Sequence, residues 1–551
     1  MTNQITVFKA DRVRTLQRAL PVADAVAVRD GRVLEVGTLE SLAPWLNEFD
    51  HTIDDSTFRG KTLLPGFIDP HLHPEMAAMI FLTDIVAATD WSFPWGTYPG
   101  VSGRVNYLAR LTELERAKTD PDEPLNTWGY HQGWHGDVTR ADLDAISATR
   151  PIFVWHRSPH EGIGNSAFIK RYRISEDLDA KTGQTDVANG KFWEMGAKAA
   201  LGDWLADLSA RFDVGLAKVG QAIRHAGVTT VADMSTGMFI GSTDRALAAY
   251  RAAYEQPEVP FRVVITPAAS ALADEYPDRA RQLAYLESLL PTSSDRVRLA
   301  RRIKLFADGA LFGLRLQMLA PCCGSGVRPE WMTTPDELIE QAKFYWKAGY
   351  QIHVHVTGDA GTQLALDALE QCLLEQYRPD HRFTLEHFGF STDEQVQRVK
   401  GLGAQVSVNP FYVYELTSFF RANGIGDERS SQMSRTGSLE AAGVPFALHS
   451  DLTMAPVDPL LLAWVAANRV TMDGDVVAPN ERVSLTAAIR AITIDAARIL
   501  RLENEIGSIA AGKRADFTAL EADPWDVGVA GLRDIPVTHS VFGGEVLDAG
   551  G

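Results

Sequence analysis

The sequence predicts an α/β fold, either a parallel sheet or a (β/α)8 barrel, with one small β domain assembled from both chain ends. Three observations predict it. First, the middle of the chain alternates short apolar strands with helical stretches. Candidate strands are Val228–Asp233, Phe261–Ile265, Ile303–Phe306, Gln351–His355, Phe383–His387, Gln405–Val408 and Pro445–His449, with helices such as Pro335–Ala348 and Ala360–Glu375 between them. Second, polar residues end many of these strands, where such folds build their sites. Third, both ends have the texture of β structure. Ala25–Val28 and Arg32–Gly37 flank Asp30-Gly31, the signature of a tight hairpin. Ala515–Leu520 is a further strand, and Val537–Phe542 leads through Gly543-Gly544 into Glu545–Leu547 as a second hairpin.

Between His73 and roughly Asp213 the chain is too long for one strand–helix unit. This stretch holds Trp91, Trp95, Trp128, Trp134, Trp155 and Trp193 and reads as an insertion folded over the mouth of the barrel. With 45% hydrophobic and 23% charged residues in 551, the chain has the composition of a soluble globular protein. A net charge of -18 argues against a nucleic-acid binder, which would carry a basic stripe. Three cysteines (Cys322, Cys323 and Cys372) provide neither a disulfide framework nor a cysteine zinc site. Met1–Ala10 lacks the apolar core of a signal peptide, and no run approaches the roughly eighteen apolar residues of a membrane span. The expectation is a cytoplasmic protein acting on a small molecule, with no nucleic-acid or membrane partner and room for homo-oligomers.

The most informative stretch is Leu63-Leu64-Pro65-Gly66-Phe67-Ile68-Asp69-Pro70-His71-Leu72-His73. Residues i and i+2 of a strand point to one side, so His71 and His73 aim at one place. Imidazole is the commonest metal ligand near neutral pH. Downstream follow Lys304 in Ile303–Gly309, His355 before Gly358-Asp359, His387 after Glu386, and Asp451 in His449-Ser450-Asp451.

This order, and the motifs around it, resemble the amidohydrolase superfamily, in the branch that includes N-substituted formamide deformylase. Asp458-Pro459-Leu460 and the tail Ile506–Asp516 resemble the same family. The resemblance implies a (β/α)8 TIM barrel with a small β-sandwich formed by both termini. Residues 1–64 would give the first part of the sandwich, 65–487 the barrel with an insertion at about 85–213, and 488–551 a helix and the rest of the sandwich. It also implies ligand roles. His71, His73 and Asp451 would hold one divalent ion, and His355 and His387 a second. Lys304, carboxylated by CO2, would bridge the two. Mixed nitrogen and oxygen ligands suit zinc first, with manganese, iron or nickel as alternatives. The expected reaction is hydrolysis of a C–N bond in an amide-like molecule, such as an N-substituted formamide or aryl amide, by metal-bound hydroxide. Asp451 would serve as general base and then acid.

In the insertion, His160, Arg157 and Asn165 resemble residues near the site in this branch, and Trp134 belongs to an aromatic–histidine cluster that could wall a pocket. His353 and His449 share strand faces with His355 and Asp451 and are expected one layer below them, as packing or outer residues. Asp308 and Asp359 are expected to cap or orient neighbouring backbone. The same scaffold could instead support a mononuclear deaminase, an esterase, a lyase or isomerase, or a catalytically silent sensor.

Overall fold

The computed structural model describes residues 4–320 and 329–549. Cys322 and Cys323 therefore lie outside the described residues; Cys372 is a buried free thiol. Two compact units are present, one of residues 1–74 with 220–551, the other of residues 75–219.

In the first unit both chain ends join one seven-stranded sheet. Strands Val22–Arg29 and Arg32–Gly37 pair antiparallel around Asp30 and Gly31, whose φ angles of 50° and 72° suit a two-residue hairpin turn. Strand Phe517–Leu520 pairs with the end of His51–Pro65, and Val537–Phe542 pairs with Glu545–Asp548. Phe8, Val26, Val33 and Phe58 from the start of the chain share one buried cluster with Phe517 and Val541 from its end. Where a sandwich is expected, the strands of both ends lie in this one sheet, and residues from both ends share that cluster. Truncating Phe517 to Ala should cost about 3–5 kcal/mol through the lost side chain and its cavity. A lowered denaturant midpoint of the purified variant would report this.

Strand His51–Pro65 runs through Gly66 directly into a second strand, Phe67–Leu72. A Cβ at Gly66 would sit 2.2 Å from Thr229 Oγ1, so only glycine permits this approach. Phe67–Leu72 lies in a four-stranded parallel sheet with Val228–Thr236, Arg262–Pro267 and Val297–Leu299. A five-stranded parallel sheet follows in chain order: Arg302–Phe306, Gln351–Val356, Thr384–His387, Gln405–Val408 and Phe446–Leu448. A parallel bridge between Ala268 and Lys304 links the two sheets. Near the far edge, the Asp451 amide donates to the His71 carbonyl at 3.0 Å. Helices such as Pro335–Lys347 and Asp359–Glu375 cross between consecutive strands, as parallel pairing requires.

Arg262 and Asp516 form a buried ion pair at 2.7 Å within this unit, and Asp516 Oδ1 also accepts from the Gly543 amide. The Asp516 of the tail motif thus ties the end sheet to the parallel strands.

The second unit contains a six-stranded sheet and the hairpin Trp91–Phe93/Gly96–Tyr98. Its core gathers Tyr107, Leu111, Leu125, Ile152 and Val154.

Candidate metal centre

Most of the residues singled out in the sequence of the first unit lie at, or just beyond, the C-terminal ends of the parallel strands, where α/β sheets place their ligands, and Lys304 lies midway along its strand. His71 is on Phe67–Leu72 and His73 follows it; Lys304 lies on Arg302–Phe306, His355 on Gln351–Val356 and His387 on Thr384–His387. Asp451 follows Phe446–Leu448.

Three donor atoms converge closely. His71 Nε2 is 3.4 Å from His73 Nε2 and 3.6 Å from Asp451 Oδ1, and His73 Nε2 is 3.0 Å from Asp451 Oδ1. Ligands bound at about 2.0–2.1 Å to one tetrahedral ion stand about 3.4 Å apart, so this triad already has the spacing of three corners. The other ring nitrogens are engaged elsewhere. His71 Nδ1 donates to Glu386 Oε2 at 2.7 Å, and His73 Nδ1 faces Ser235 Oγ at 2.8 Å. Outer partners of this kind set the ring orientation and leave each Nε2 directed at the site. Among the described residues, a second triad of ligand atoms comes from His71, His387 and His449.

His387 Nδ1 lies 3.5 Å from Asp451 Oδ2 and 3.4 Å from the Tyr412 hydroxyl. His387 Nε2 is buried with no hydrogen-bond partner among the described residues. The His355 ring stands 4.4 Å from that of His387 and 5.7 Å from Phe306. Lys304 Nζ is fully buried, has no hydrogen-bond partner among the described residues and sits 5.5 Å from the Phe306 ring.

Burial shapes the charges. It pulls the Lys304 ammonium down to about 8, against the opposing pull of Glu386 and Asp451. It holds His71 and His387 well below the ordinary imidazole range and brings His449 down to about 4. Neutral imidazoles are the form that binds metal. Burial acts most strongly, to raise the Asp451 carboxyl, but the hydrogen bond and charge from His73 together with the charges of His449 and Lys304 outweigh it and leave Asp451 below the ordinary carboxylate range.

The backbone is strained where several of these candidate residues emerge. His387, Phe388 and Asp451 have φ of 72°, 50° and 55°, left-handed values that cost non-glycine residues about 1–3 kcal/mol each and cluster at functional sites. Two buried aspartates brace this geometry. Asp69, raised to about 7 by burial, accepts from the amides of His71 and Ser450 and so fastens the Asp451 segment to the His71 strand. Asp308 accepts from the amides of Thr357, Gly358 and Gln317, as expected of a residue that orients the loop after His355. A Cβ at Gly358 would fall 1.8 Å from the Gln317 carbonyl oxygen, which explains that glycine.

Glu386 was expected only as a neighbour of His387, yet its carboxylate is shared by His71 Nδ1 and, at 2.6 Å, His353 Nδ1. Its adjacency to His387 hid this role, because neighbours on a strand point to opposite faces. His449 is closer to the ligands than its expected packing role implies; its ring stands 4.5 Å from that of His71.

The second unit uses two of its highlighted residues in its own framework. Arg157 is fully buried, 5.2 Å from the Trp91 ring and 4.8 Å from that of Trp128. Asn165 Oδ1 accepts from the amides of Ile152 and Phe168, and its Nδ2 donates to the Ser147 and Arg150 carbonyls. The Asn165 amide therefore has no donor or acceptor left for a ligand, which corrects its expected substrate contact. Trp134 packs at 4.4 Å on the His131 ring, and the His160 amide donates to Ser158 Oγ. Both side chains are half-buried.

Comparison with known proteins bears on the same arrangement. Residues 58–548 match the family described as "Amidohydrolase family". The chain is 26% identical over 546 residues to the N-substituted formamide deformylase of Arthrobacter pascens, covering 97% of this chain and 96% of that one. It is 26% identical over 549 residues to the protein LONG AFTER FAR-RED 3 of Arabidopsis thaliana, covering 95% and 87%. A metal-dependent hydrolase of Pyrococcus horikoshii OT3 superposes with a TM-score of 0.70 at 19% identity, over 96% of this chain and 99% of that one. These neighbours imply an α/β fold of the TIM-barrel type. No helix among the described residues is long and apolar enough to cross a membrane.

Proposed function

Because the chain belongs to the amidohydrolase family, we propose that it is a metal-dependent hydrolase that cleaves a C–N bond of an amide-like small molecule. The observation that carries the reading is the 3.0–3.6 Å spacing of His71 Nε2, His73 Nε2 and Asp451 Oδ1. The two parallel sheets are taken as arcs of one closed (β/α)8 barrel, a reading supported by the Ala268–Lys304 bridge and the Asp451–His71 hydrogen bond.

His71, His73 and Asp451 would hold one divalent ion, and His355 and His387 a second. Lys304 would join the two sets of ligands if its neutral amine took up CO2 and released a proton. A divalent ion, zinc by preference, supplies positive charge that acidifies a water and polarises a carbonyl. Asp451 takes the proton of the attacking water on its carboxylate. It then returns that proton to the departing nitrogen, so the C–N bond breaks without leaving a free amide anion. Glu386 holds the His71 ring with Nε2 forward, and Ser235 orients His73. The similarity to a formamide deformylase makes N-substituted formamides the first substrates to try.

Elemental analysis of the purified protein, with a hydrolysis screen of formamides, aryl amides and esters, tests the reading. Two ions per chain and amide hydrolysis are expected. One ion per chain with ammonia release from aminated rings would move the assignment to a mononuclear deaminase. Full metal occupancy with no turnover across the screen would point to a silent sensor.

A further inference from the structure

We propose that His449 is itself a metal ligand, forming with His71 and His387 an all-imidazole seat for a single divalent cation ahead of carboxylation of Lys304. The proposal rests on the metal-dependent reading above. The ligand nitrogens of the three residues lie within 4.8 Å of one another. Three nitrogens on one tetrahedral ion stand about 3.4 Å apart, so binding draws the triad together by up to about 1.4 Å. The His449 ring lies 4.5 Å from His71 and 5.3 Å from His387.

Two buried atoms mark the seat independently of that spacing. His449 Nε2 and His387 Nε2 both lack a hydrogen-bond partner among the described residues. A buried polar nitrogen without a partner destabilises the fold, and a cation would remove that cost. His449 Nδ1 is already engaged with Ser407 Oγ at 2.6 Å, which leaves Nε2 as the nitrogen available to an ion. Behind them lies the Glu386 carboxylate, 2.7 Å from His71 Nδ1 and 3.9 Å from His449 Nδ1. A carboxylate in that position strengthens imidazole as a donor and compensates the charge of the ion.

The two triads share His71, whose one Nε2 lone pair serves one ion at a time. They are therefore alternative seats. An ion on His449 occupies His71 and His387 together, so it must leave before those residues can serve two separate ions.

The test uses the full-length metal-free protein and cobalt(II), one equivalent in CO2-free buffer. His449→Cys should give a near-ultraviolet thiolate-to-cobalt band. His449→Gln should bind cobalt more weakly than wild type by more than the roughly 10–100-fold of an outer partner. Circular dichroism verifies the fold of both, and His449→Gln carries the test if the cysteine variant does not fold. Cobalt uptake by folded His449→Cys without the band overturns the proposal, as does unchanged affinity of His449→Gln. Failure of wild type to bind cobalt at all would overturn the metal-dependent reading and this proposal together, whereas the variant results bear on His449 alone.

Discussion

Replacing Asp451 by Asn is expected to lower kcat/KM at least about 1000-fold while the protein stays folded. Removing a general acid–base alone costs about 100–10,000-fold, and asparagine also removes an anionic ligand. Asp451 Oδ1 lies 3.0 Å from His73 Nε2 and Oδ2 lies 3.5 Å from His387 Nδ1, so one carboxylate faces both proposed ion positions. The amide is nearly isosteric and can still meet both imidazoles, and the Asp451 amide to His71 carbonyl bond is untouched. Thermal unfolding should therefore change little. Kinetics on the best substrate from the screen, with metal content measured on the same sample, would separate the two contributions. Full metal with lost turnover assigns Asp451 to proton transfer. Lost metal assigns it chiefly to binding. Activity within about ten-fold of wild type would remove Asp451 from the chemistry altogether.

Much of this candidate site is legible in sequence because its residues occupy or closely follow regular strands. Gln351–His355 and Gln405–Val408 are buried runs whose periodicity leaves little ambiguity, and they form strands at Gln351–Val356 and Gln405–Val408. The Asp30-Gly31 hairpin is equally plain, because few residue pairs tolerate positive φ at both turn positions. The short strand Val297–Leu299 goes unseen: its two outer residues are Val and Leu, but Arg298 and a length of three give no period. His449 and Glu386 are harder for another reason. Their importance lies in which atoms of distant strands they meet, Ser407 and His71, and no local pattern carries that. Arg157 is legible only as a charged residue beside histidines; the two tryptophans that flank it, Trp91 and Trp128, come from separate segments and leave no local pattern. Asn165 likewise looks available until its four backbone partners are counted.

Substituting Lys304 by Met is expected to move stability and activity in opposite directions. Lys304 is fully buried, and its Nζ has no hydrogen-bond partner among the described residues. A buried amine in that state is a burden on the fold, and an apolar side chain of similar length relieves it. The metal-free variant should match or exceed wild type in stability, by up to about 4 kcal/mol as in replacements of buried ionic groups. Turnover should nonetheless fall at least about 100-fold, because methionine cannot take up CO2 or present two oxygens to two ions. Residues kept at the expense of stability are the ones function requires. Denaturant titration of both metal-free proteins and kinetics of both metal-loaded ones measure the two effects separately. Lys304→Ala adds a chemical check, since the smaller residue leaves room for acetate or propionate to supply the missing carboxylate. Partial recovery of turnover with added acid would tie the lysine to the bridge. A Lys304→Met protein that is less stable than wild type but fully active would make Lys304 a packing residue and leave a single ion on His71, His73 and Asp451.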